Sequence, residues 1–170
     1  MKIGALRESE SDEHRVALVP ETAAQLIKAG HKVCIEQGAG LTAGFPDIAY
    51  SQAGAETLTG NEVNETVDVF VHVQPPTVDE IQKLKPGALV VSIMNARNDA
   101  SRISVLESAG VTAIAMELVP RIARAQRMDV LSSQASISGY KAALLAANAL
   151  GKYLPMMMTA AGTIPPAKIL

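Results

Sequence analysis

Five apolar runs, at residues 1–6, 32–36, 67–73, 88–94 and 111–116, recur along the chain, and the stretches between them carry helical spacing or helix-end signals. Nothing else in the sequence limits the fold as much. The runs are apolar at successive positions, as in ALVVSIM at residues 88–94. A strand of that kind is buried on both faces, the situation of a parallel sheet covered by helices on either side.

The helix signals agree with this. Pro20-Glu21-Thr22 opens a helix whose apolar Ala23, Leu26 and Ile27 recur at helical spacing, and Gly30 closes it. Residues 46–53, 78–84 and 99–109 read as further helices. The longest, from about Ser133 to Tyr153, has few charges, and Ala142, Ala143, Ala146 and Ala147 suit close packing against neighbours. Strands alternating with helices through right-handed crossovers give an α/β fold, a Rossmann-like doubly wound and mostly parallel sheet.

Composition narrows the class further. At 170 residues the chain is long enough for one domain, or for one domain and a piece of another. With 48% apolar and 19% charged residues it is expected to be globular and soluble, not disordered. A formal net charge of −2, from 15 basic and 17 acidic residues, gives no field for nucleic acid or an anionic membrane. No apolar run reaches the ~18–20 residues that span a bilayer, so direct membrane insertion is not expected. The first residues lack the apolar core of a signal peptide. The single cysteine, Cys34, sits in an apolar run and reads as core.

Few motifs carry chemistry. The glycine cluster from Gly38 to Gly44 follows a strand, but Phe45-Pro46 comes next where a phosphate loop would enter a helix, so it reads as a structural turn. No Cys/His spacing suits a metal, and His14, His31 and His72 read as surface or satisfied core. Tyr140 also reads as core, and Met156-Met157-Met158 as packing at an interdomain crossing.

Residues 120–140, PRIARAQRMDVLSSQASISGY, stand apart. Arg121, Arg124 and Arg127 recur at steps of three, with Gln126 and Asp129 among them, before Ser132-Ser133-Gln134 leads into a helix. Polar groups gathered at a helix start suit an anion or an amide, because the first N–H groups of a helix are unpaired and its dipole is positive there. Asp129, Ser132 and Ser133 are all candidate N-caps.

That run, followed by MMMTAAGTIPPAK and preceded by RVALVPET and VQPPT, resembles the NAD(H)-binding component (alpha, domain I) of proton-translocating NAD(P) transhydrogenase. The resemblance implies an oxidoreductase in which hydride passes between NAD(H) on this component and NADP(H) on a partner. It implies further that Arg121, Gln126, Arg127, Met128, Asp129 and Ser132 contact the cofactor, with Gln126, Asp129 and Arg121 closest to the chemistry. Gln126 and Ser132 would hydrogen-bond around the nicotinamide end. Asp129 would orient the loop, and Arg121 would contact the cofactor or hold Asp129; these roles are interchangeable among neighbours. The implied partners are the NADP(H)-binding and membrane components and a second copy in a homodimer. The implied location is cytoplasmic and peripheral to the inner membrane, or the matrix side in mitochondria.

The same resemblance divides the chain into a first Rossmann-like domain at 1–132, lacking a C-terminal return segment, a linking helix at 133–153, and a connection at 154–170. The last part would end in the first strand of a truncated NAD-binding domain, at Lys168-Ile169-Leu170. The chain is therefore expected to be a fragment, inactive alone. A more distant resemblance is to alanine dehydrogenase, where Arg15 matches a substrate-carboxylate arginine. Gln74 stands where that family has a lysine, and Asn95 at or beside its catalytic histidine, which leaves proton transfer without an evident carrier. A third reading is a non-catalytic docking module.

Overall fold

A computed structural model describes residues 1–168. The chain forms two compact units, Met1–Ile122 and Ala123–Leu170.

The first unit is built on six parallel strands, β1 (Lys2–Ala5), β2 (Lys32–Glu36), β3 (Glu56–Leu58), β4 (Val69–Val71), β5 (Leu89–Ser92) and β6 (Thr112–Ala115), in the order β3-β2-β1-β4-β5-β6. Helices α1 (Pro20–Lys28), α2 (Asp47–Gln52), α3 (Gly60–Thr66), α4 (Val78–Lys83) and α5 (Ala100–Ser108) connect them. The chain winds outward from β1 to β3, then crosses back to place β4 on the other side of β1. The sheet is thus doubly wound, as its apolar runs predict, with a switch point between β1 and β4.

Both faces are covered. Ile3, Ala5, Val33 and Ile35 pack with Ala23 of α1 and Tyr50 of α2 on one side. Cys34, Phe70 and Val90 pack with Val63 of α3, Ile81 of α4 and Leu106 of α5 on the other. Residues adjacent on one strand therefore enter opposite cores, which is why the runs are apolar at successive positions. Gly4 in β1 is forced by this layering. A Cβ there would lie 2.5 Å from Cγ1 of Val67 and 2.9 Å from Sγ of Cys34. Cys34 is fully buried, as expected, and burial pushes its thiol up to about 11.

Local signals set the helix ends. Gly30, at φ 89°, donates to the carbonyl of Ile27 while His31 donates to that of Leu26, the paired bonds of a Schellman stop. Thr59 with Glu62 and Thr77 with Glu80 form capping boxes at the starts of α3 and α4. Gly38 and Gly44 flank a 3-10 turn at Leu41–Ala43, so the glycine cluster is the structural turn expected of it.

The second unit holds α6 (Val130–Ala149) and the antiparallel pair β7 (Met157–Thr159) and β8 (Gly162–Ile164). Three expectations need correction here. The long helix begins three residues earlier and ends four earlier than 133–153, because Asp129 caps it and Leu150 leaves the helical region at ψ 124°. Tyr140 is not core: it is 71% exposed, and no residue of α6 is buried. Ala142, Ala143 and Ala146 are exposed and Ala147 is half-buried, so this stretch is not the closely packed face expected of it. The hairpin around Ala160-Ala161 was not anticipated. The strand expected from Lys168 falls on residues 169–170, which lie outside those described.

Candidate functional site

The polar stretch after β6 is laid out by local geometry. Met116–Leu118 forms one 3-10 turn and Ala123–Met128 another, and α6 follows directly. In 3-10 geometry residues three apart eclipse one another, so Arg124 and Arg127 share a face. Gln126 lies on a different face, and its carbonyl accepts from the N–H of Asp129 at 3.3 Å. Of the three candidate caps, the structure selects Asp129. Its carboxylate accepts from the Ser132 N–H at 2.9 Å and the Ser132 hydroxyl at 2.6 Å, while the Ser133 hydroxyl donates to its carbonyl.

The predicted site residues are therefore distributed as follows. Gln126, Arg127, Met128, Asp129 and Ser132 lie within one turn-to-helix junction of the second unit, with Asp129 half-buried and the other four exposed. Arg121 belongs to the first unit and is also exposed. Ser132 is bound to Asp129, so its hydroxyl hydrogen is committed and its oxygen remains an acceptor. The exposed Gln126 amide offers both a donor pair and an acceptor, the complement of a carboxamide. The donors present fit the amide end of a nicotinamide cofactor, while no glycine turn leading into a helix, as a pyrophosphate requires, occurs among the described residues.

A second group of polar residues lies beyond the C-terminal ends of the strands in the first unit. Glu8, just past β1, spans the switch point: its carboxylate accepts from the N–H of Val73 at 2.8 Å and of Gln74 at 3.0 Å, just past β4. Its Oε2 also lies 3.1 Å from Nδ1 of His72, whose ring stacks on Phe70. Burial raises the Glu8 carboxyl above its usual range, against the opposing pull of His72. The carbonyl of Gln74, 2.9 Å from His72 Nδ1, is an acceptor too, so Nδ1 carries the proton. Nε2 is then left buried and without a partner among the described residues.

Arg15 is held by Glu13 through Nε at 2.7 Å and Nη2 at 2.6 Å, and Gln74 Nε2 donates to the same carboxylate at 2.7 Å. The Arg15 hydrogen bonds hold the Glu13 carboxyl down at about 2. Asn95 sits at φ 51° in a turn where Asn98 donates to its side chain at 2.8 Å. Glu117 receives the N–H groups of Met94 and Ala96, both at 2.9 Å. Burial alone would raise its carboxyl; those two donors outweigh it and hold it low. Sequence reasoning missed Glu8, Glu13 and Glu117, because a glutamate in a charged loop looks the same whether its partner is water or a strand end 65 residues away.

An open parallel sheet with helices on both faces, and polar groups gathered at its switch point, defines a Rossmann-like α/β domain. The family described as alanine dehydrogenase/PNT, N-terminal domain, matches residues 4–138, and the chain belongs to it. It is 44% identical over 171 aligned residues to the NAD(P) transhydrogenase subunit alpha of Cereibacter sphaeroides, covering all of this chain and 33% of that one. The alanine dehydrogenase of Bacillus subtilis is more distant, at 32% over 152 residues, covering 89% of this chain and 39% of that one. The solved transhydrogenase of Sinorhizobium meliloti superposes with a TM-score of 0.92 at 44% identity, over 98% of this chain and 50% of that one. The chain thus spans a third to a half of the length of these relatives. Among the described residues no helix is long and apolar enough to cross a membrane.

Proposed function

We propose that this chain is the N-terminal part of the NAD(H)-binding component of a proton-translocating transhydrogenase, working with NADP(H)-binding and membrane components and as a homodimer. The whole-chain likeness to transhydrogenase alpha subunits carries this reading. It also supports a peripheral position at the inner membrane, facing the cytoplasm or the mitochondrial matrix. The division at 1–132, 133–153 and 154–170 is part of the same proposal as a division of the parent protein into regions, the helix itself running Val130–Ala149.

When bound, NAD(H) supplies the hydride, so no side-chain acid or base is required and the protein's task is orientation. Gln126 and Ser132 hold the nicotinamide amide, and Arg127 and Met128 line the contact. Asp129 keeps the junction in register through its cap, and Arg121 adds positive charge. An alanine-dehydrogenase activity is disfavoured by a specific observation. Gln74 and Asn95 supply neither an ammonium nor an imidazole, and Arg15 is already engaged by Glu13. Alone, the 170-residue chain is expected to transfer no hydride and to bind NADH weakly; low-micromolar binding by calorimetry would contradict this.

The deciding experiment is Gln126→Asn in the complete protein paired with its NADP(H) component. The shorter side chain keeps the amide but withdraws it by about 1 Å, an error that costs ~100-fold in a positioned reaction. Single-turnover hydride transfer should fall by about that factor while NADH binding changes little. Equal losses in both would reduce Gln126 to a binding residue, and an unchanged rate would remove it from the site.

A further inference from the structure

The turn at Ala123–Met128 has three faces, because 3-10 geometry sets residues three apart in line and neighbours about 120° apart. Ala125, in the middle, is only 5% exposed and turns its face inward. The other two faces therefore point outward. One carries Gln126 and the other carries Arg124 and Arg127, and all three side chains are exposed. The two arginines stand one turn apart, about 6 Å along the axis. Like charges held that close repel, and an anion laid across both relieves the repulsion.

Charge segregation along the chain is an independent observation. Arg15 and Arg102 in the first unit are paired with Glu13 and Asp99, whereas neither Arg124 nor Arg127 has an acidic partner among the described residues. Of the 17 acidic residues only Asp129 lies in the second unit, and its carboxylate is engaged by Ser132. Against it stand Arg124, Arg127, Lys141, Lys152 and Lys168. A basic surface without internal acids is steered toward an anionic partner. On the transhydrogenase reading, on which this inference rests, hydride passes directly between two nicotinamides, one of them at Gln126. The component that brings the other must close on the faces this turn leaves exposed, and the basic face adjoins that of Gln126.

We propose that Arg124, with Arg127 in line, docks an anionic group carried by the NADP(H)-binding component, either a carboxylate of that protein or a phosphate of its dinucleotide. Arg124 thus serves recognition of the partner and does not touch the nicotinamide. The test uses the complete protein loaded with NADH and titrated with the NADP(H)-binding component, following single-turnover hydride transfer at rising salt. Arg124→Gln should raise the half-saturating concentration of that component about fivefold and make its salt dependence shallower. The rate at saturation and the affinity for NADH should stay unchanged. Arg124→Glu should raise the half-saturating concentration further, and Arg124→Lys, which keeps the charge, should restore most of the loss. A binding titration with the component emptied of NADP(H) separates the two sources. An Arg124→Gln effect that persists there assigns the anion to a carboxylate, and one that vanishes assigns it to the dinucleotide phosphate. An unaltered half-saturating concentration in both Arg124→Gln and Arg124→Glu overturns the proposal and leaves the transhydrogenase reading standing. A lowered thermal midpoint without weaker association overturns it too, by making Arg124 a packing residue of the complete protein. So does a fall in the saturated rate alone, which would place Arg124 in the hydride step. Absence of hydride transfer by the unsubstituted pair defeats the transhydrogenase reading itself.

Discussion

Arg15 in the first unit is gripped by both oxygens of Glu13, whereas Arg124 and Arg127 in the second lie exposed along a single 3-10 turn. The same residue type serves two purposes. In the first unit, side chains are largely spent on one another: Phe70, Val90 and Ile81 are fully buried, and Glu8 and Glu13 bind strand ends and loops together. In the second, α6 has no buried residue, and Ile137, Tyr140, Leu144 and Leu145 are each at least half exposed. A helix apolar on several sides is ordinarily covered. The comparison separates residues that hold this chain together from residues left available to something else.

The largest test of that difference is in the apolar side chains. Phe70→Ala should cost about 3–5 kcal/mol, as an aromatic removed from a packed core does. Leu144→Ala on α6 should stay within about 0.5 kcal/mol. Denaturant unfolding followed by circular dichroism can measure both, since the chain has no tryptophan. A comparable loss at Leu144 would mean that α6 is packed in solution and would erase the contrast.

The arginines offer a smaller effect. Arg15→Ala should cost about 1 kcal/mol, a modest figure because the guanidinium is partly exposed and screened. Arg127→Ala should change stability by less than about 0.5 kcal/mol. Reversal of that order would show that Arg127, not Arg15, is the structural one.

The acid limb of stability gives the finest test. The folded Glu13 carboxyl sits at about 2, below its ordinary 4.5, so its ionised form stabilises the fold above about pH 4.5. That contribution is lost as pH falls toward 2. Glu8, raised by burial, has the opposite sign, favouring the fold at low pH and losing that favour as it ionises. Glu13→Gln should therefore flatten the decline between pH 4.5 and 2 in thermal midpoints. An unaltered decline would place the acid sensitivity elsewhere.

The turn-to-helix junction was legible in the sequence, because the polar residues from Gln126 to Ser132 stand before an apolar-periodic run, and the structure starts α6 there. Which of three caps was used was not legible, because Asp129, Ser132 and Ser133 each satisfy the same N–H requirement until the preceding turn fixes the register. Helix α3 was not anticipated, since GNEVNET offers one apolar side chain, Val63, and so no apolar spacing.

The sequence by itself determined the alternation of strand and helix, the double burial of the strands and the stop at Gly30, because those depend on neighbours within a few residues. Only the tertiary structure decided the order β3-β2-β1-β4-β5-β6, the three-residue strand β3 that its polar ETL concealed, and the bridge from Glu8 to Val73 and Gln74. Those features join groups tens of residues apart, and such contacts form only when packing brings their elements together; nothing in the local pattern of either partner encodes the other.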